Sequence, residues 1–268
     1  MAELALPDAN LYYEVHQAGN PASNSPPLVL IAGLASDAQS WQPVLGLLQQ
    51  NRKVVLLDNR GAGRTRARAG ICLTQMAKDC LALCNHLELD RVDLLGHSMG
   101  GFIALNAARI EPARIHRLVL ANSSVAQSMR NQLMFTDWAK TLAKDGATAH
   151  WYRTFFYWIL TRGFFESRES VDQLVKLAQG YAYAPHAMAF QSQVLAMDGF
   201  DARPWLASIQ SQTLVLAASE DLLFPPGDDA AGLGALPNRT IKIVSGLAHS
   251  MPMEGPRAFC EHVLQFLG

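Results

Sequence analysis

Residues 94–101 read "LLGHSMGG", a serine set among glycines where an apolar run ends. The run from Arg91 to Gly96 has the continuous hydrophobicity of a strand buried on both faces, and the stretch from Met99 to Ile110 has helical character. Ser98 therefore falls on a strand-to-helix turn, and the small residues Gly96 and Gly100 fit a turn too sharp for flanking side chains. With Gly and Ser each near about 7% of residues, a chain of this length shows G-x-S-x-G by chance about one time in ten. Only the surroundings of the motif can give it weight.

Upstream, "LALPDANLYYEV" reads as two strands about a Pro-Asp-Ala-Asn turn, and "PLVLIAGL" follows a Pro/Ser/Asn-rich loop at 20–27. From there strands and helices alternate: a helix near 40–50, the strand "KVVLLD", a helix over 73–87, the strand "RVDLLG", a helix over 99–110 and the strand "RLVLAN". Short Leu- and Val-rich strands separated by helices imply right-handed crossovers and a mostly parallel central sheet flanked by helices, an α/β fold. After Asn122 nearly ninety residues pass before the strand "TLVLAA" at 213–218, too many for an unstructured loop. Helical periodicity over 124–144, 147–160, 168–181 and 185–198 fills the gap. The expected division is a core of residues 1–122 and 210–268 carrying a helical cap at 123–209. A short helix near 228–235, the strand "TIKIV" and a helix from about 255 to 267 complete the core.

Composition narrows the function. The 268 residues carry a formal net charge of -1, which supplies no field for steering nucleic acid or an anionic membrane. The first residues lack a basic n-region and break at Pro7, unlike a signal peptide, and no apolar run nears the roughly 20 residues of a bilayer span. A cytoplasmic protein acting on a small molecule is expected, as a monomer or small homo-oligomer. Cys72, Cys80, Cys84 and Cys260 include no C-x-x-C pair, so no metal is expected. Nor is a cofactor: "DNRGAGRT" at 58–65 would need glycine at 66 to read as a dinucleotide loop, where the chain has Arg66, and there is no Walker A motif. Arg60, Arg64, Arg66 and Arg68 read as a solvated basic loop.

At the N-terminus of the helix that follows Ser98, unbonded N–H groups and a partial positive charge suit an oxyanion, with the Met99 N–H as one donor. A nucleophilic serine in this context resembles that of the α/β-hydrolase superfamily, in its serine-nucleophile branch, whose triad runs nucleophile, acid, base along the chain. "DNRGAGRT" is similar to that family's D-x-R-G-x-G-x-S signature. The resemblance implies the rest of the machinery. Of eight histidines only His249 lies in a loop directly after the last strand, "SGLAHSMPMEGP", and becomes the base. In "AASEDLLFPP", Asp221 with Pro225 resembles the family's D-x-x-x-P pattern and becomes the acid, with Glu220 its competitor; one strand earlier stands Asn122, which carries no charge. The second oxyanion donor would be the Leu34 N–H in "IAGLAS", where Ala32 stands in place of the family's usual histidine. His97 is expected to diverge from the serine and serve structure.

The pattern looks like small bacterial hydrolases such as 3-oxoadipate enol-lactonases and carboxylesterases, which implies cleavage of an ester or lactone of a small, largely apolar substrate through an acyl-enzyme. Carbon-carbon bond hydrolases of aromatic degradation, acyltransferases, perhydrolases and ligand sensors share the triad and stay open. In the cap, "HWYRTFFYWIL" at 150–160 is dense in aromatics; Trp151, Phe155 and Trp158 are either cap core or the roof of a pocket over Ser98.

Overall fold

The computed structural model describes residues 2–20, 22–68, 71–227 and 232–268. Strands β1 (Ala2–Leu6) and β2 (Ala9–His16) form an antiparallel hairpin that turns at Pro7 and Asp8. There follow β3 (Leu28–Ile31), a 3-10 turn at Ala38–Trp41, α1 (Gln42–Leu48), β4 (Val54–Leu57), β5 (Arg66–Ala67), α2 (Leu73–His86), β6 (Val92–His97), α3 (Met99–Ile110) and β7 (Ile115–Ala121). Among the described residues these strands, with β8 (Gln212–Ala218) and β9 (Arg239–Val244), make one sheet in the order β1-β2-β4-β3-β6-β7-β8-β9, with β5 on β2. From β4 to β9 every neighbour pairs parallel, while the hairpin joins antiparallel at one edge. Helices α8 (Met251–Glu254) and α9 (Pro256–Leu267) close the chain.

The run of apolar residues in each central strand has a simple cause. Successive side chains alternate between faces, and both faces are covered. Val29, Ile31, Val55 and Leu57 join the core under α2 and α3, while Leu28, Leu30, Val54 and Leu56 join a second core containing residues of α1 and α9. All eight are essentially sealed from solvent, each worth about 1.5–3 kcal/mol of burial. The last strand, β9, keeps Arg239, Thr240 and Lys242 unburied on the free edge, which discourages pairing with another chain.

Between β7 and β8 the chain leaves the sheet and forms α4 (Met129–Asp145), α5 (Ala149–Ile159), α6 (Arg168–Gln179) and α7 (Ala187–Met197). The helix starts follow their caps: the hydroxyls of Ser128, Thr148 and Ser167 each accept an N–H from the first turn. Periodicity alone places the first of these helices at 124, five residues early, because it cannot see that Ser128 is the cap. Helix α4 packs on α7, and α5 on α6. The expected helix at 228–235 includes 228–231, outside the described residues; Leu233–Ala235 form a 3-10 turn.

One expectation fails clearly. Arg60 and Arg64 are not solvated: Arg60 is fully buried, its Nη2 donating to Asp79 Oδ1 (2.9 Å) and Asp8 Oδ1 (2.7 Å). Arg64 lies over the Tyr12 ring and pairs with Asp58 and Glu14. The sequence hides most of this because Glu14, Asp79 and Asp8 come from β2, α2 and the hairpin turn, and only Asp58 is local. Hydrogen bonds donated to Asp79 and Asp8 hold the Arg60 guanidinium more basic than usual, against burial. Arg66 and Arg68 remain exposed.

Candidate active site

Turns beyond the C-terminal ends of β6, β8 and β9, together with the loop after β3, build the site. At the end of β6, Ser98 takes φ 57° and ψ −122°, a backbone region that only a tightly held turn imposes on a residue with a side chain. The glycines around it are required by contact. A Cβ at Gly96 would strike the Gly100 carbonyl, one at Gly100 the Ile31 carbonyl, and one at Gly101 the Ser123 hydroxyl. The turn is pinned by Ser98 N–H to the Ala121 carbonyl (3.0 Å), and the Ser98 carbonyl accepts from the Gly101 N–H and Ser123 Oγ, both at 2.9 Å.

Asp221 follows β8. Its Oδ1 accepts the N–H groups of Leu223 (2.8 Å) and Phe224 (3.0 Å), leaving Oδ2 to accept from His249 Nδ1 at 2.9 Å. Burial alone would raise this carboxyl, but the neighbouring His249 and the two N–H donors outweigh it and leave its pKa below the ordinary value. An ionised Asp221 fixes the proton of His249 on Nδ1 and leaves Nε2 free to accept. Glu220, the competitor, is exposed. Ser98, Asp221 and His249 are all buried, and Ser98 and His249 open onto the same small cavity of about 50 Å³.

Two further side chains hold the loop of His249. The His249 carbonyl accepts from His97 Nε2 (2.8 Å) and from Asn122 Nδ2 (3.3 Å), and Asn122 also donates to the Ala248 carbonyl (3.0 Å). Crowding by protein, and then the nearby His249, lowers the pKa of His97 to about 3, so its ring stays neutral with the proton on Nε2. His97 does serve structure as expected, but it does so inside the cavity wall, 4.8 Å from the His249 ring centre to centre. Sequence reading missed both bracing roles, since the loop that His97 and Asn122 hold lies over 120 residues away.

Gly33 packs against Ser98, where an added Cβ would come within 3.0 Å of the serine Cβ, and Leu34 lines the cavity. Among the described residues, the N–H groups of neither Leu34 nor Met99 donate to a protein acceptor. Two unspent donors beside a buried serine suit a developing oxyanion.

Of the three insertion aromatics, Phe155 reaches the cavity wall. Trp151 does not: it is sealed in the insertion, donating Nε1 to the Trp138 carbonyl (2.9 Å) and stacking on Phe155. Trp158 lies elsewhere on α5 and holds the Arg130 guanidinium over its ring. The wall is instead completed by Phe135 and Trp138 of α4, Ile159 of α5 and Leu223 of the acid turn. Helical phase nominates Phe135 and Trp138, three residues apart on one face of α4, but the denser aromatic run in α5 masks that signal. No cluster of His, Cys, Asp and Glu capable of holding a metal occurs among the described residues.

Comparison with known proteins agrees with this architecture. A family model described as "alpha/beta hydrolase fold" matches residues 26–256. A protein of Variovorax paradoxus (strain S110) named "Putative carbamate hydrolase RutD" is 30% identical, the match covering 96% of each chain. A crystal structure of a hydrolase from Pseudomonas aeruginosa PA01 superposes with a TM-score of 0.87 at 25% identity, covering 100% of this chain and 98% of that one. The enol-lactonase from Burkholderia xenovorans LB400 gives the same TM-score at 24% identity, covering 99% of each. Among the described residues no helix is long and apolar enough to cross a membrane.

Proposed function

The chain belongs to the alpha/beta hydrolase family, and from that premise we propose that it is a serine hydrolase cleaving a carboxylic ester or lactone of a small, largely apolar substrate. The observation that carries the reading is the pairing of His249 Nδ1 with a buried Asp221, beside a serine in a strained turn on the same cavity. His249 Nε2 takes the hydroxyl proton as Ser98 Oγ attacks the carbonyl carbon. The carbonyl electron pair moves onto oxygen, which the Leu34 and Met99 N–H groups receive. Collapse of this tetrahedral species breaks the bond to the leaving alkoxide, which takes the proton from His249. Water, activated by the same imidazole, then frees the acid and restores Ser98. Asp221 stays ionised throughout and stabilises the imidazolium.

Phe135, Trp138, Phe155 and Ile159 give the acyl side an apolar wall. At about 50 Å³ the cavity is well below the roughly 300 Å³ of a small-ligand pocket, so the insertion has to shift to admit substrate. A second reading, carbamate cleavage, is favoured by the name of the curated relative and uses the same serine attack. A panel of p-nitrophenyl esters, lactones and aryl carbamates, run on the protein and on Ser98→Ala, tests both. Turnover that disappears with Ser98 is expected; turnover that persists in Ser98→Ala contradicts the serine mechanism.

A further inference from the structure

Polar contacts tie the turns of Asp221 and His249, and the loop after β3, to the insertion. Asn131 of α4 donates Nδ2 to the Leu223 carbonyl (2.7 Å) in the acid turn, and the Ser250 N–H, next to His249, donates to the Ile159 carbonyl of α5 (2.8 Å). The third tie reaches the loop after β3. Gln193 of α7 is wholly buried; its Oε1 accepts the Ala35 N–H (3.3 Å) and its Nε2 donates to the Arg60 carbonyl (2.8 Å). The amide carries an acceptor and a donor on one planar group, and so satisfies the N–H and the C=O at once. Its seat is built to fit, because Gly61 has φ +80° and an added Cβ there would press to 3.3 Å on Gln193 Cγ.

The loop that Gln193 holds is the wall between two spaces. Leu34 and Ser36 face the Ser98 cavity, while Ala35 faces an outer groove of about 620 Å³ that Gln193 also lines. Ala32 supplies no side chain to brace this loop, and Ala35 sits at φ 58°, a conformation that needs outside support. The support comes from Gln193, from Asn59 Nδ2 donating to the Ala32 carbonyl (2.9 Å) and from Tyr181 donating to Asp37 (2.6 Å).

Resting on the serine reading above, we propose that Gln193 is a positioning residue for the oxyanion hole: from the insertion it holds Ala35, and through Ala35 the Leu34 N–H, in the orientation that acyl transfer requires. The hole is thus complete only while the insertion is seated, and an empty, opened site is a poor catalyst.

Gln193→Met keeps the volume and removes both hydrogen bonds. Its kcat for a p-nitrophenyl ester is expected to fall by about tenfold or more with KM within about twofold of the parent, whereas Gln191→Met, exposed on the same helix, changes neither. A folded Gln193→Met whose kcat stays within about twofold of the parent overturns the proposal. Gln193→Glu covers the case of a misfolded methionine variant. Its carboxyl, when protonated, donates to the Arg60 carbonyl and accepts from the Ala35 N–H as the amide does; when ionised it repels that carbonyl. The ratio of its kcat to the parent's is expected to rise as pH falls from about 8 to about 6, since burial raises a carboxyl pKa. A ratio that does not change with pH overturns the role. Asp37, Arg66, Arg68, Tyr183 and His186 line the same groove; the carboxylate of Asp37 opposes ionisation of the new carboxyl, while the two arginines favour it. If the parent itself neither turns over esters nor reacts at Ser98, the serine reading fails and this role falls with it.

Discussion

At Ser98 the backbone angle of φ 57° costs a residue bearing a Cβ about 1–3 kcal/mol, which glycine would not incur. Ser98→Gly is accordingly expected to melt no lower than Ser98→Ala in a thermal denaturation series, while both lose ester turnover; a glycine variant melting well below alanine would mean that the turn is not strained. Asp221 holds the His249 tautomer, so Asp221→Asn is expected to lower kcat by about 10⁴ with the fold retained. Because His97 stays neutral down to a pKa of about 3, it adds no proton to the acid limb of kcat/KM. That limb is expected to fall with unit slope, and a slope of two in a pH-rate profile would contradict the neutral ring. As candidates, Ser98, Asp221 and His249 are legible in the sequence because each sits in a locally recognisable turn after a strand. His97, Asn122 and Gln193 are not, since their roles are hydrogen bonds to backbone groups more than a hundred residues distant.

The helices of the insertion separate core packing from cavity lining by phase. Trp151 faces inward on α5 and Trp138 faces the cavity from α4, although the sequence around Trp151 is the richer in aromatics. Replacing the sealed Trp151 with alanine is expected to cost about 3–5 kcal/mol in urea denaturation while leaving the order of acyl-chain preference unchanged. Trp138→Ala is expected to shift that preference toward longer chains at a smaller loss of stability. The reverse assignment would show as a selectivity change in Trp151→Ala. Strand and helix order was readable from periodicity because the parallel strands are apolar on both faces. Which aromatic meets the cavity depends on how α4 and α5 settle on the sheet, and no single-helix pattern records that.

Across the whole molecule, buried polar contacts join regions that are far apart in the chain. Arg60 links the N-terminal hairpin at Asp8 to α2 at Asp79, and its own carbonyl receives Gln193 from the insertion. Asp79→Ala removes a buried partner of that guanidinium, and a loss of about 3–5 kcal/mol is expected by urea denaturation. The basic run that looked solvated in the sequence is therefore half structural, because ion pairing is a property of the assembled fold. In the proposed mechanism this scaffolding serves to make Ser98 an activated nucleophile. Intact-mass analysis and peptide mapping after treatment with a fluorophosphonate test that role most directly. One adduct per chain on Ser98, formed far more slowly in Asp221→Asn and absent in Ser98→Ala, is the expected result; an unlabelled Ser98 in folded protein, or an equal rate in Asp221→Asn, would contradict it.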